Sequence, residues 1–409
     1  MAGAAHERPI PTVAPPKRAV RAVGERPRMS RFLYFLIAVT VLIHVPFALG
    51  TLFVARRLEL PSPVPLALTL TAALTFFFIG RARAGMPDRR RSGFMVWCVD
   101  VPYYVHWCAC LFTLIPSVVA TAVVPLVDLG RGLPVGLPHA LYASVYALGL
   151  VVCGYGILVR RRWVVVREHD IVVEGLDSRL DGYRIAHFSD LHIGALTPRA
   201  WGMRWVRKLE GRHVDLAVVT GDLITSGTEF HHDVAEVIGA LRVPDGVFVS
   251  FGNHDYFGEG EPLLSKIRDV GAHVLRNQGV LIERRGAKFF LAAIDDTWTR
   301  RDDLTAALRE RPEGMPTVLL AHDPERFRAA AKLGVDLTLS GHTHGGQIAM
   351  PFFSRRLSLS HLTHHFHVGF YRKGRSLLYV SPGLGTTGPP MRLGAAPTIA
   401  IHTLRASRS

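Results

Sequence analysis

Four long apolar stretches, Phe32–Ala55, Leu60–Gly80, Tyr104–Val127 and Pro138–Val159, dominate the first part of the chain. Each is near the roughly 20 residues that carry a helix across a bilayer. The second is the weakest, because Pro61, Pro63 and Pro65 crowd its start and a proline inside a helix removes a hydrogen bond. The third has a lead-in from Phe94 containing Asp100 and Pro102, but Phe94–Val127 is too short for two spans and a turn and counts once. Upstream, residues 1–30 are rich in Pro, Arg and Ala without periodicity, the pattern of a disordered basic tail. From Arg160 the texture changes to short β-branched runs separated by turns and polar helices, as in an α/β domain. The chain therefore divides into a tail (1–30), four transmembrane helices (31–159) and a second domain (160–409).

The 409 residues are 49% hydrophobic, too apolar for a disordered chain or an ordinary soluble enzyme. The net charge of +15 is uneven. Residues 1–159 hold 15 basic and 6 acidic side chains, against 33 and 27 in residues 160–409. That places the excess on membrane flanks rather than in a nucleic-acid groove, and no nucleic-acid partner is expected. Arg and Lys number seven up to Arg31, five in the loop at 81–91, and four at Arg160, Arg161, Arg162 and Arg167; the other two loops carry only Arg56, Arg57 and Arg131. By the positive-inside rule the N-terminus, the middle loop and the C-terminal domain are cytoplasmic, in an integral protein of the cell (inner) membrane. The first span is too long for a signal-peptide core, three more follow it, and no Arg-Arg pair precedes it. Cys98, Cys108, Cys110 and Cys153 all lie in apolar segments, which leaves the C-terminal domain without disulfides or thiolate ligands; Cys108 and Cys110 read as small apolar packing. Asp100, His44 and His106, in or beside the spans, read as interfacial or helix-pairing residues rather than a functional path.

Histidine is concentrated after residue 159, where 16 of the 20 lie. One arrangement recurs there five times: a short apolar run, read as a buried strand, ends at a metal-capable cluster. The run 184–189 ends at Asp190-Leu-His192, 216–220 at Gly221-Asp222, 247–251 at Gly252-Asn253-His254-Asp255, 317–321 at His322-Asp323, and 337–340 at Gly341-His342-Thr343-His344. Buried strands form a rigid platform whose carboxyl-end loops converge side chains on one point. Carboxylates, imidazoles and one amide, with no thiolate, suit divalent Mn, Fe or Zn. On an extended segment the i, i+2 spacing of Asp190 and His192, and of His342 and His344, points both side chains the same way. Glycine before Asp222, Asn253 and His342 leaves room for tight turns.

This series strongly resembles the calcineurin-like metallophosphoesterases. The strings Ser-Asp-Leu-His-Ile-Gly (189–194), Leu-Ser-Gly-His-Thr-His-Gly-Gly-Gln (339–347) and Leu-Tyr-Val-Ser-Pro-Gly-Leu-Gly-Thr-Thr-Gly (378–388) look like the family's bacterial membrane-associated phosphodiesterase branch. The resemblance covers about residues 170–405 and implies a four-layer α/β/β/α sandwich of two mixed sheets around two divalent metal ions, manganese favoured. It implies that Asp190, His192 and His344 hold the first ion, that Asn253, His322 and His342 hold the second, and that Asp222 bridges them. Such a pair lies about 3.5–4 Å apart and activates a water as hydroxide for in-line attack on phosphorus. His254 resembles the non-ligand that protonates the leaving oxygen. Asp255 either orients His254 or caps the turn. Two departures stand out, Asp323 where Asn is common and Thr398 where this branch often has Glu; neither is a ligand.

Other features are less specific. Gly383-Leu-Gly-Thr-Thr-Gly388 either presents amides to a phosphate or simply turns the chain. His361, His364, His365 and His367 read as solvated loop residues, and Asp295 and Asp296 as structural. Phe352 and Phe353, with Arg355, Arg356, Leu357 and Leu359, mix apolar and cationic side chains, as in a loop that dips into an anionic leaflet. The reading that unites these is a membrane-anchored phosphoesterase acting on a phosphodiester or phosphomonoester, with a lipid as the candidate substrate and the bilayer as partner. The alternatives are a pyrophosphohydrolase of a nucleotide-linked glycolipid precursor and a non-catalytic sensor of a phosphorylated ligand. An intact His254 beside all seven ligands favours catalysis. The sequence carries no signal for an oligomeric state.

Overall fold

The computed structural model describes residues 31–84, 88–128, 137–258, 260–348 and 359–407. The basic tail, and the loop of Phe352, Phe353, Arg355, Arg356 and Leu357, lie outside them.

Four helices, α1 (Arg31–Arg57), α2 (Pro63–Ala84), α3 (Val101–Asp128) and α4 (Leu137–Leu158), are long and apolar enough to cross a membrane. The prolines that weaken the second stretch fall at its N-terminal turn, with Pro63 as the first helical residue, where the missing N–H has no partner to lose. The polar lead-in to the third is a π-helical turn, Met95–Asp100, that runs straight into α3. Ile43, Phe47, Phe78, Trp107, Cys108, Cys110, Cys153 and Ile157 form a common core, so Cys108 and Cys110 are buried among apolar side chains, while Cys98 is exposed. Phe35, Leu42, Phe76, Ile115, Val118, Leu148 and Val151 stay exposed on the outside, the side that hydrocarbon would cover. Asp100 is buried between Arg81 and Arg91 and ties the end of α2 to the start of α3, the helix-pairing role.

Among the described residues the second domain contains twelve strands: β1 (Val165–Val173), β2 (Tyr183–Phe188), β3 (Leu216–Thr220), β4 (Val247–Ser250), β5 (His273–Val274), β6 (Gln278–Arg284), β7 (Ala287–Ala293), β8 (Thr317–Leu320), β9 (Leu337–Ser340), β10 (Gly369–Lys373), β11 (Ser376–Val380) and β12 (Thr398–Ala406). They form two six-stranded sheets, ordered β1-β12-β2-β3-β4-β5 and β10-β11-β9-β8-β7-β6. Each sheet is mixed: β12 runs antiparallel to β2 in the first, and β7 and β11 antiparallel to β6 and β10 in the second.

Strand parity explains the layering, since successive side chains point to opposite faces. Ile185, Leu216, Val218 and Phe248 of the first sheet meet Phe289, Leu291, Val318, Leu320, Leu337 and Leu339 of the second. Their neighbours Ala186, Ala217, Val219 and Val249 point the other way, against α5 (Arg199–Arg207), α6 (His231–Gly239) and α7 (Gly260–Asp269) through Trp205, Val234, Ile238, Leu263 and Ile267. Phe290, Ala292 and Leu319 likewise cover α8 (Leu304–Ala307) and α9 (Phe327–Lys332) through Ala307 and Ala330. Helix, sheet, sheet, helix is the four-layer sandwich expected, and runs with both faces buried read as continuous apolar strings for this reason.

The two units share a joint. Arg161, grouped with the flanking cations in the sequence, is instead buried: it donates to the carbonyls of Leu196 (2.7 Å) and Pro390 (3.2 Å) and lies over the Trp201 ring. Met391 inserts into the helix-bundle core, and the Arg392 amide donates to the Gly156 carbonyl of α4. On the other side, the Asp88 carboxylate accepts from the Ala195 amide at 3.0 Å, and Arg90 pairs with Asp233 at 2.8 Å. The α2–α3 connection thereby clamps the C-terminal domain.

Candidate metal centre

All five expected apolar runs are strands, and their carboxyl ends meet at one rim. β2, β3 and β4 deliver Asp190, His192, Asp222, Asn253 and His254 from one sheet, while β8 and β9 deliver His322, His342 and His344 from the other. The donor atoms of Asp190, His192, Asp222 and His344 lie within 4.8 Å of one another, as do those of Asp222, His322 and His342. Asp222 belongs to both groups. Its Oδ2 stands 3.5 Å from His192 Nε2 and 3.3 Å from His322 Nε2, the position of a shared anion.

The local backbone differs from expectation. The i, i+2 pairs are not extended: Asp190 (φ 51°), His192 (44°), His342 (70°) and His344 (53°) are all left-handed, and so is Asp222 (53°). Such conformations cost about 1–3 kcal/mol each and persist only where the surroundings fix them. Here the surroundings are hydrogen bonds. Asp190 accepts from Ser189 Oγ (2.6 Å) and from the His342 amide (2.9 Å), linking the ends of β2 and β9. The expected room at glycine is real: a Cβ on Gly341 would overlap the Ser189 and Asp190 side chains.

The donor set fits divalent cations. His322 Nδ1 donates to the Thr220 carbonyl at 2.8 Å, so Nε2 is the ring atom that faces Asp222 and His342 and becomes a donor to a cation once its proton leaves. His192 and His344 place their Nε2 atoms 3.1 Å apart. Asn253 Oδ1 is buried without a protein partner, as suits an oxygen kept for a cation. Burial pushes the His192 ring down to about 3 and also lowers His344, which keeps both as neutral donors. Burial acts the same way on His322, but the Asp222 charge outweighs it and raises that ring to about 10. Asp222 shows the counterpart: burial would raise it, yet His322 and His254 hold it well below the usual carboxylate range. Loading cations must therefore expel a proton from His322, and metal affinity is expected to fall about tenfold per unit of pH decrease. Calorimetric titration of Mn²⁺ in buffers of different ionisation enthalpy checks this; no proton release would refute it.

The other expected residues are sorted by their contacts. His254 lies beside the ligands, its ring edge-on to His192 and its amide 2.9 Å from Asp222 Oδ1. Its Nδ1 donates to the Thr225 carbonyl at 2.6 Å, which leaves Nε2 directed toward Thr387. Of the two roles expected for Asp255, the geometry realises the turn cap: its carboxylate accepts from the amides of Gly252, Asp222 and Leu223 and makes no bond to the His254 ring. Asp295 and Asp296 are structural as expected, holding Tyr256 and Arg276, and the 297–299 turn, respectively. The Gly383–Gly388 loop is a turn rather than an amide cradle, since Leu384 and Gly385 donate to the Ser189 and Asp190 carbonyls. The histidine group is only partly solvated: His361 and His365 are exposed, His367 is buried, and the His364 ring sits 5.5 Å from that of His342. Asp323 accepts from Thr297 Oγ1 and the Glu325 amide, a local cap.

Arg392 escaped the sequence reading. It is fully buried, donates to the carbonyls of Pro382 and Gly385, and brings Nη2 to 3.4 Å from His344 Nδ1. Burial lowers it to about 9. Its only signal is a lone charge in the Pro-Pro-Met-Arg-Leu segment, where an unpaired cation would be costly.

Residues 183–346 match the family model described as calcineurin-like phosphoesterase. A metallophosphoesterase of Aquifex aeolicus is 31% identical over 248 residues, covering 59% of this chain and 91% of that protein. The chain is a calcineurin-like phosphoesterase. Bacillus subtilis YkuE, also described as a metallophosphoesterase, is 29% identical over 258 residues, covering 62% of this phosphoesterase and 90% of that one. A Danio rerio transmembrane protein with metallophosphoesterase domain is 31% identical over 269 residues, 62% of this chain. The phosphoesterase matches only 60% of that relative's length, and 63% of a Helicobacter pylori metallophosphoesterase. It is thus a metal-dependent phosphoric ester hydrolase that carries four apolar helices ahead of its catalytic domain.

Proposed function

We propose that this phosphoesterase hydrolyses a phosphodiester or phosphomonoester of a lipid-linked substrate at the membrane surface, from the cytoplasmic side of the cell membrane. The observation that carries the reading is a cavity of about 110 Å³ between the helix bundle and the catalytic domain. Arg81, Arg91 and Tyr104 line it from the helix side, and Thr225, Thr386 and Gly388 from the metal side. Arg81 and Arg91 both pair with Asp100 behind the wall, and the Asp88 carboxylate lines the cavity with them, so it offers charged donors and an acceptor to a polar headgroup.

Asp190, His192 and His344 would hold one divalent ion and Asn253, His322 and His342 the other, with Asp222 between them and manganese the first metal to test. When bound, two such ions polarise the phosphoryl oxygens and make a water nucleophilic at neutral pH. The protein supplies the rest. His254, its Nδ1 proton fixed on Thr225, presents Nε2 as the site from which a proton passes to the leaving oxygen. Arg392 holds the Pro382 and Gly385 carbonyls in place beside His344.

The test is hydrolysis by the full-length chain with Mn²⁺, comparing a vesicle-borne phospholipid with its deacylated headgroup. The expected result is at least a tenfold higher kcat/KM for the lipid. Equal values would remove the lipid from the proposal and leave a water-soluble ester.

A further inference from the structure

We propose that the helix bundle holds a second, separate metal site, in which His44, His106 and Cys110 bind one borderline or soft cation, zinc or copper(I). His44 lies on α1; His106 and Cys110 lie one turn apart on α3 and so share a face. All three are buried. His44 Nε2 and His106 Nε2 are 3.1 Å apart, Cys110 Sγ is 3.8 Å from His106 Nε2, and the three donor atoms lie within 4.8 Å of one another. A tetrahedral zinc, with nitrogen ligands at about 2.0–2.1 Å and sulfur at about 2.3 Å, sets its ligand atoms roughly 3.3–3.6 Å apart.

The surrounding hydrogen bonds orient the donors. His44 Nδ1 is 2.6 Å from the Thr40 carbonyl, which can only accept, so Nδ1 carries the proton and the Nε2 lone pair faces His106. His106 Nδ1 is 2.8 Å from the Tyr146 hydroxyl of α4. If that hydroxyl donates, a proton on His106 Nε2 joins the two rings and the thiol has no part in the arrangement. If it accepts, two lone pairs and a sulfur converge on one point, which only a cation satisfies. The convergence of the third donor favours the second state. Ligating histidines whose other nitrogen is held by a carbonyl or hydroxyl are the usual form of a metal site, and thiolate with imidazole selects zinc or copper(I) over manganese.

The distribution of cysteine gives a direct test, because residues 160–409 contain none. In full-length protein loaded with Co²⁺, a near-ultraviolet thiolate-to-cobalt charge-transfer band can arise only in the helix bundle. The band is expected in the wild type and in Asp222→Asn, where the catalytic centre is disabled, and in Cys108→Ala. It is expected to vanish in Cys110→Ser and in His106→Asn. Unchanged phosphoesterase turnover of Cys110→Ser guards against a loss caused by misfolding. Metal analysis of the purified Asp222→Asn protein covers copper(I), which would exclude cobalt: about one zinc or copper per chain is expected. Absence of the band together with absence of zinc and copper would overturn the site, as would a band that survives Cys110→Ser.

Discussion

Asp222→Asn is expected to lose both catalytic metals and at least about a thousandfold in turnover. Lewis-acid stabilisation by such ions is worth several kcal/mol, and each 1.36 kcal/mol is tenfold in rate. The carboxylate is buried, faces His192 and His322 with one oxygen, and accepts the His254 amide with the other. An asparagine keeps the size but not the charge, so two cations would share a site without their common anion, and the amide NH₂ would meet imidazole nitrogens. Metal content after gel filtration and steady-state rates check this together. Two ions retained per chain would mean that the shared position does not bind as proposed.

The second large effect is kinetic and spares the metals. His254→Ala is expected to cost roughly 10²–10⁴ in kcat, with metal content unchanged because His254 stands outside both donor groups. The loss should depend on the leaving group. A nitrophenolate leaves readily without a proton, whereas an alkoxide, as in a glycerol or sugar ester, needs one. Rates with a chromogenic and an alkyl phosphodiester separate these cases. The same loss on both would assign His254 to binding instead.

Much of the centre was legible because each ligand string sits at the end of a strand that is buried on both faces. β3 reads Leu-Ala-Val-Val-Thr with every position buried, and a run of that kind ending in Gly-Asp sets a carboxylate at the rim of a sheet. The left-handed backbone at Asp190, His192, Asp222, His342 and His344 was not legible, since the hydrogen bonds around it join the ends of strands far apart in sequence, as from the His192 amide to the Asp222 carbonyl and from the His342 amide to Asp190. Asp255 was ambiguous for a related reason: the amides it caps at Asp222 and Leu223 lie over 30 residues away. Arg161 looked like a membrane flank because charge counting assigns every cation to a surface, and only tertiary structure shows it buried in the joint. His44 and His106 pair across 62 residues, a distance at which two isolated histidines in apolar helices carry no shared signal.

Met391 and Arg392 are adjacent and both buried, yet they belong to different units. Met391 belongs to the core of the helix bundle, whose outside is apolar, and Arg392 reaches the back of His344. The helix bundle is in this sense a structural support of the segment that carries Arg392. A bilayer whose thickness changes the tilt of α4 displaces the Gly156 carbonyl, and with it the backbone that carries Arg392. Turnover of even a water-soluble ester is therefore expected to vary with acyl-chain length, and rates in vesicles of graded thickness measure it. A flat profile would make the helices a passive tether; a peaked one would make the enzyme a gauge of the membrane it occupies.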